Sequence, residues 1–412
     1  MLARTTSLAV AALVALVAVP AEAGIRQARV VSANPVDNTP HVLDGIVNAF
    51  ALVGNTVIVG GRFGAVKEAR GNEEIPRANI FAFNLSTGRV LRDFAPDLSG
   101  GAVNALAAGP DGTVFAGGSF VASERGLVRL RVTDGSPVAS FSAPVYGGDV
   151  YSLVRQGGKL YVGGDFYRIG RTLRTALARV DVETGETDPA FTVTPEGGPS
   201  SAVKVYAMAA TRDRLVVDGS FGTLDGLRRP QLGVIDLTTG QVADWHTDAY
   251  ATACKPDFPS YVRGVDVSPD GRYFVVVTTG GPFPGTTKLC DSAARFETYA
   301  RGDQIRPTWV NLTGGDSLYS VAITGSAVYV GGHQRWLDNP MGADTRGPGA
   351  VSRPGIGAID PVTGKAQSWN PTRERGIGVK AFMTVKKGLL VGSDTTSLGR
   401  EYHARVGMFP AT

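Results

Sequence analysis

The connection beginning Gly332-His-Gln-Arg-Trp-Leu-Asp-Asn-Pro-Met341, with Arg346 and Arg353 behind it, holds the densest set of groups in this chain that could do chemistry. Arg373-Glu374-Arg375 follow in the next connection, and several of these arginines have no acid close by in sequence to match them. A guanidinium recognises a carboxylate or phosphate through two parallel hydrogen bonds, and an indole offers a flat apolar face. Arg beside Trp therefore suits an acidic or carbohydrate ligand. On this reading His333, Arg335, Trp336, Arg353, Arg373 and Arg375 are the candidate ligand contacts. The competing reading is a solvated loop pinned by one anchoring Trp.

The chain has four histidines, His41, His246, His333 and His403. His41, His333 and His403 fall in neighbouring parts of the repeat described below. Clustered imidazoles with carboxylates can hold a divalent metal, so these three are weak metal candidates. No two of them have the local spacing of a metal motif, and no metal or other cofactor is expected. The two cysteines, Cys254 and Cys290, form an even pair, which in an exported protein favours a disulfide.

Motifs that would name an enzyme are missing. No Gly-x-Ser-x-Gly elbow, phosphate loop, dinucleotide fingerprint or His-Glu-x-x-His occurs, nor the Ser-x-Asp-x-Gly-x-Thr-Trp box of sialidase-like propellers. Asp111, Asp134 and Asp270 each precede a Gly, and turn geometry accounts for them.

The elements that must position these groups come from a repeat. One unit recurs seven times, starting at Val47, Val103, Val150, Val205, Val262, Leu318 and Val379, with successive starts 47 to 61 residues apart. The clearest copy runs Val103-Asn-Ala-Leu-Ala-Ala-Gly, then Pro110-Asp111-Gly112, then Thr113-Val-Phe-Ala-Gly-Gly-Ser-Phe120. Apolar alternation broken by Pro-Asp-Gly or Gly-Gly reads as a first hairpin. A second hairpin turns at Thr-Gly, as in Thr239-Gly240. Four antiparallel strands at this period make a propeller blade, so the sequence predicts an all-β fold, a seven-bladed β-propeller over residues 24–412. The seventh unit runs out after a third strand near Arg405 to Phe409. Gln27 to Ser32 is the β-like stretch expected to supply its fourth strand and remove an open edge. Phe94, Phe141, Phe191, Trp245, Trp309 and Trp369 recur at one position near the end of strand four and read as packing residues.

Val103 to Phe141, with its Pro-Asp-Gly turn, Gly-Gly-Ser-Phe, Leu-Val-Arg-Leu and closing Ser-Phe, resembles the bacterial propeller unit called the delta-sixty repeat. The resemblance spans roughly Val47 to Phe409 and weakens at Val277-Thr-Thr-Gly and Gly392-Ser-Asp. It implies an exported propeller, mostly of unassigned function in that family, and carries over no catalytic residue. The unit is similar also to kelch repeats in its Gly-Gly after the second strand.

In such a blade the tight turns share one face, and the longer connections all leave the other. That long-loop face is where binding is expected. Residues 1–23 read as a signal peptide: Arg4, an apolar stretch from Leu8 to Val19, and Ala21-Glu22-Ala23 as the cleavage site. The net charge of +4, with acids interleaved among the arginines, supports neither a nucleic-acid footprint nor a polybasic membrane patch. The expectation is a secreted, extracellular or periplasmic monomer of bacterial type. It would bind an extracellular glycan, peptide or protein ligand without cofactor, nucleic acid or membrane insertion. The alternative is a hydrolase or lyase using a metal or carboxylates on the same face.

Overall fold

The computed structural model describes residues 24–121, 125–200, 202–281 and 288–412. The predicted signal peptide lies outside the described residues. All regular structure among the described residues is β, and every sheet is antiparallel.

Seven sheets are built on the repeat. Sheet one contains Ile46–Val53, Thr56–Arg62 and Ile80–Asn84; sheet two contains Val103–Ala108, Thr113–Gly118 and Leu127–Arg131. Sheet three holds Val150–Gln156, Lys159–Gly164 and Leu177–Asp181. Sheet four runs Lys204–Ala210, Arg214–Ser220, Leu232–Asp236 and Gln241–Val242, and sheet five runs Val262–Val267, Tyr273–Thr278, Ser292–Glu297 and Trp309–Leu312. Sheet six holds Leu318–Ile323, Val328–Gly332 and Ile356–Ile359; sheet seven holds Ala381–Val385, Gly388–Gly392 and Val406–Pro410. The first strand of each sheet packs on that of the next, and that of sheet seven packs on that of sheet one.

The Gly-Gly motif follows from this stacking. A Cβ on Gly163 would stand 2.6 Å from Cγ1 of Val205 in the next sheet, and one on Gly392 would stand 2.6 Å from Cγ1 of Val47. Glycine lets the first strand of the following sheet approach the second strand of the preceding one, and the same contact joins sheet seven to sheet one. The second strands are buried almost throughout, as in Thr113–Gly118, so they read as continuous apolar runs. First strands such as Val150–Gln156 are half-buried.

The recurring aromatics fill the space between sheets. Phe94 is fully buried among Ile58, Ala82, Val103, Val114 and Val128, residues of sheets one and two. Trp369 lies edge-on to Tyr329 and Phe409, both at 5.2 Å, and its Nε1 donates to the Ser32 carbonyl at 3.0 Å. Each such ring contributes about 1.5 to 3 kcal/mol by its burial.

A fourth strand is present in sheets four and five. In sheets one, two, three and six that position narrows to single bridges, Phe83 to Val90, Leu130 to Pro137, Val180 to Thr187 and Ile359 to Ala366. At sheet seven the N-terminal segment lies along Val406–Pro410, but in a register later than Gln27 to Ser32. Ser32 N donates to Pro410 O and Val36 N to Met408 O, both at 2.9 Å. Val36 thus stands where Leu91 stands on sheet one, donating to Ala82 O. Gln27 turns to sheet six instead, bridging Gly325, while its side-chain amide donates to Val385 O and Gly388 O.

Backbone conformation repeats as faithfully as packing. The residue before each third strand is left-handed: Asn79, Gly126, Ala176, Gln231, Asp291, Gly355 and Arg405, with φ between 48° and 74°. Only two of the seven are glycine. Several of the long connections fold into small sheets, such as Val145–Tyr146 with Arg168–Ile169 and Thr172–Leu173.

Candidate functional site

A β-bulge marks the start of the first strand in six of the sheets, where the register slips past Asn48, Asn104, Tyr151, Tyr206, Arg263 and Tyr319. A bulge re-aims one side chain out of the alternating pattern. Lys380 is the equivalent residue of sheet seven, donating its N–H to Gly392 O. Each of these residues lies beside the end of the second strand, at the end of the sheet from which the long connections depart. The tight turns lie at the other end: Val182 N, beside the Thr184-Gly185 turn, donates to Gly158 O in the first hairpin turn of the same sheet.

These side chains form a linked series around the first strands. Asn48 donates to Val103 O at 3.3 Å and Asn104 to Val150 O at 3.1 Å. The Tyr151 and Tyr206 rings are stacked 6.0 Å apart, the Arg263 guanidinium lies 4.8 Å from the Tyr206 centroid, and Lys380 Nζ lies 3.3 Å from the Tyr319 centroid.

The two sides of this series differ in charge. On sheet three, Tyr151 Oη and Lys204 Nζ both donate to Asp165 Oδ2, at 2.8 and 2.9 Å, and Asp149 N donates to Asp165 Oδ1. Burial pushes the Asp165 carboxyl up, but these hydrogen bonds outweigh it and hold the group below its ordinary value. Burial and the hydrogen bond to Asp165 push the Tyr151 hydroxyl well above its ordinary value. On sheets five and seven, the Arg263 guanidinium donates to Val262 O at 2.7 Å and Ser260 O at 3.1 Å. Neither Arg263 nor Lys380 makes an ion pair among the described residues. Burial, and then the charge of Arg263, lower the Lys380 ammonium to about 8.

Asp218 stands in the second strand of sheet four, at the position that is glycine at Gly60, Gly117 and Gly163, and its carboxyl is coupled in charge to Arg263. It is fully buried, its Oδ1 accepts from Ala207 N at 3.0 Å, and its Oδ2 has no partner. Burial raises its carboxyl to about 8, against the opposing charge of Arg263, so it is protonated at neutral pH.

The candidates read from the sequence are placed differently from one another. Arg335 and Arg375 converge on buried Asp316: Arg335 binds it through Nε at 2.8 Å and Nη2 at 3.1 Å, and Arg375 through Nη2. Arg335 also pairs with Asp344 and lies over the Trp336 ring, 4.3 Å from its centroid. Arg373 is buried, donating to Gly332 O, Asp394 and Thr395. Arg353 caps the carbonyls of Ser352 and Gln367. Four arginines that look unmatched in sequence are thus tied to partners distant in the chain or to main-chain carbonyls. His333 stands edge-on to Tyr319 at 5.6 Å, which brings it beside the bulge series.

His41 and His403 are together, with ring centroids 6.3 Å apart, while His333 sits with sheet six. Burial, then the charges of His403 and Lys67, lower His41 to about 4. Among the described residues no group of three or more His, Cys, Asp or Glu side chains is placed to hold a metal ion. Cys254 and Cys290 are bonded, with Cα atoms 5.8 Å apart. That bond, and the lack among the described residues of a helix long and apolar enough to cross a membrane, are compatible with an extracellular or periplasmic location.

Residues 158–191, spanning the second strand of sheet three to Phe191, match the family described as a domain of unknown function (DUF5122) β-propeller. Among solved structures, the chain is similar to the computationally designed Ika8 protein at 14% identity and a TM-score of 0.49, over 92% of this chain and 99% of that one. No curated protein matches the sequence.

The bulge series is the arrangement sequence reasoning missed. Its signal was present as the second residue of each unit, in Val-Asn-Ala, Val-Tyr-Ser, Val-Arg-Gly, Leu-Tyr-Ser and Val-Lys-Ala. The residue type changes from unit to unit, so the position reads as variable rather than functional.

Proposed function

We propose that the protein is an exported, seven-bladed β-propeller of delta-sixty-type repeats that acts as a binding module, taking its ligand on the long-loop face. The cyclic packing of first strands supports seven blades. The bridges at Val90, Pro137, Thr187 and Ala366, with Val36 at the last sheet, support a four-stranded blade closed by the N-terminal segment. The signal-like N-terminus and the disulfide support export.

The observation that carries the binding reading is the bulge series. Six sheets each contribute one re-aimed polar or aromatic side chain at the same end, and Lys380 holds the equivalent position of the seventh. A rigid frame presenting adaptable side chains is how folds host recognition. A non-catalytic role fits best, since Asp165 and Asp394, two of the carboxylates beside the series, are already engaged by cations. His333, Arg335, Trp336, Arg373 and Arg375 shape the rim beside the series, and the ligand is an extracellular glycan, peptide or protein.

The test is an array of cell-envelope glycans probed with the mature chain, with mass spectrometry of any bound glycan after incubation. Saturable binding without turnover, weakened by Tyr206→Ala and unaffected by Thr184→Trp on the tight-turn face, is expected. Binding blocked by Thr184→Trp and indifferent to Tyr206→Ala overturns the assignment of the face. Cleavage of the glycan overturns the non-catalytic role.

A further inference from the structure

Two cations of the bulge series have no carboxylate partner among the described residues. Arg335, Arg373 and Arg375 each meet a carboxylate, as do Arg129, Arg179 and Lys204. Arg263 and Lys380 do not, although both are partly buried in the bulge series. Burial of an unpaired charge is costly, and a protein normally relieves it with a counter-charge.

The acids in reach are unable to serve. Asp394 is held by Arg373 and by the N–H groups of Ile377 and Gly378, at 2.6 and 3.0 Å. Asp218, coupled in charge to Arg263, is sealed from solvent and turns one oxygen to the Ala207 N–H. On the guanidinium side, main-chain carbonyls of Val262 and Ser260 fix Arg263 from behind. On the ammonium side, the Tyr319 ring supports Lys380 through its face. Tyr319 comes from the sheet between the other two, Arg263 lies over the Tyr206 ring, and neither cation has a carboxylate within ion-pair distance among the described residues.

We propose that Arg263 and Lys380 together form an anion site, taking a carboxylate or phosphate group of the ligand beside Tyr319. This deepens the binding reading above and rests on it. An incoming oxyanion would accept from the free Arg263 N–H groups and from Lys380 Nζ, whose donors have no acceptor among the described residues. Charge-assisted hydrogen bonds of this kind are the strong ones, and Arg supplies the directional half while Lys supplies a point charge. Asn48 and Asn104, spent on neighbouring carbonyls, complete the series on its neutral side.

The experiment titrates the mature protein with inorganic phosphate, galacturonic acid and, as the uncharged control, galactose, reading binding by NMR of the protein and by calorimetry. Saturable binding of one or both anions and none of galactose is expected. Preference for phosphate or for galacturonic acid identifies the source of the anion. Lys380→Met and Arg263→Met should each weaken that binding at least tenfold, with Arg92→Met, an exposed cation on sheet one, unchanged. Equal binding to wild type and to both variants overturns the site, as does absence of anion binding to the wild type. Should Lys380→Met retain full affinity for an array glycan that Tyr206→Ala loses, the anion site falls while the long-loop face stands. Loss confined to Thr184→Trp would remove both.

Discussion

Replacing Asp218 with asparagine isolates the cost of one buried carboxyl in a propeller-like core. Folding raises this group from 3.8 to about 8, and burial is the main cause, opposed by the Ala207 hydrogen bond and by Arg263. The folded state therefore keeps a proton that the unfolded chain releases above 3.8. Stability from this site is fully present below that pH and is lost as pH rises towards about 8, above which the folded state ionises too. Each pH unit inside the window costs about 1.4 kcal/mol, so the wild type gives up about 4 kcal/mol by pH 7 relative to pH 4 at this position, as an upper value. Asparagine keeps an oxygen for the Ala207 N–H, carries no proton to lose and is close in size to the protonated acid. Urea unfolding of the wild type and Asp218→Asn, followed by Trp fluorescence from pH 4.5 to 9, should give curves that nearly meet at the acid end and diverge steadily towards pH 8. Asp266 and Asp291, both raised to about 7 chiefly by burial, are common to the two proteins and cancel in the difference. Parallel curves across the range would refute the argument, because they would mean that Asp218 is ionised in the folded state and satisfied by Arg263.

Other perturbations test separate joints of the structure. Removing the disulfide as Cys254→Ala with Cys290→Ala, a separation of 36 residues, should lower stability by about 4 kcal/mol in the chain-entropy model, read by urea unfolding against the oxidised wild type. Arg335→Ala leaves buried Asp316 with Arg375 as its remaining cationic partner and should destabilise by about 1 to 3 kcal/mol, so any loss of ligand in that variant must be read beside its melting curve. Gly163→Ala forces a Cβ to 2.6 Å from Val205 and should cost about 1 to 3 kcal/mol by overpacking; a variant as stable as the wild type would mean that sheets three and four can slide apart freely. Deleting residues 24–36 removes the bonds to Pro410 and Met408 and the acceptor of Trp369, and should leave an open strand edge that aggregates, seen by light scattering.

What could be read from the sequence, and what could not, divides along the range of the interactions involved. The unit starts, the Gly-Gly motif, the packing aromatics and the cysteine pair were legible because each depends on a residue type that recurs at a fixed offset or on a simple count. Phe94 and Trp369 are buried where their spacing placed them. The left-handed residue before each third strand leaves no mark in the sequence because Asn79, Ala176, Gln231, Asp291 and Arg405 share a conformation and no side-chain chemistry. The N-terminal segment reaches the expected sheet, but of Gln27 to Ser32 only Ser32 donates a main-chain bond to it, and the pairing continues at Val36. Val31 instead packs near Tyr329 and donates to its hydroxyl. The candidate site shows the same limit in its sharpest form. Arg335 and Arg375 look free along the chain because their acid, Asp316, precedes them by 19 and 59 residues. Arg263 and Lys380 look ordinary because the sheet-by-sheet bulges that bring them to the same end appear in sequence only as one variable position. Charge matching is a three-dimensional property, so an arginine's availability can be judged only after its carboxylates have been located. By that standard Arg335 and Arg375 are committed to Asp316, whereas Arg263 and Lys380 have no carboxylate partner among the described residues.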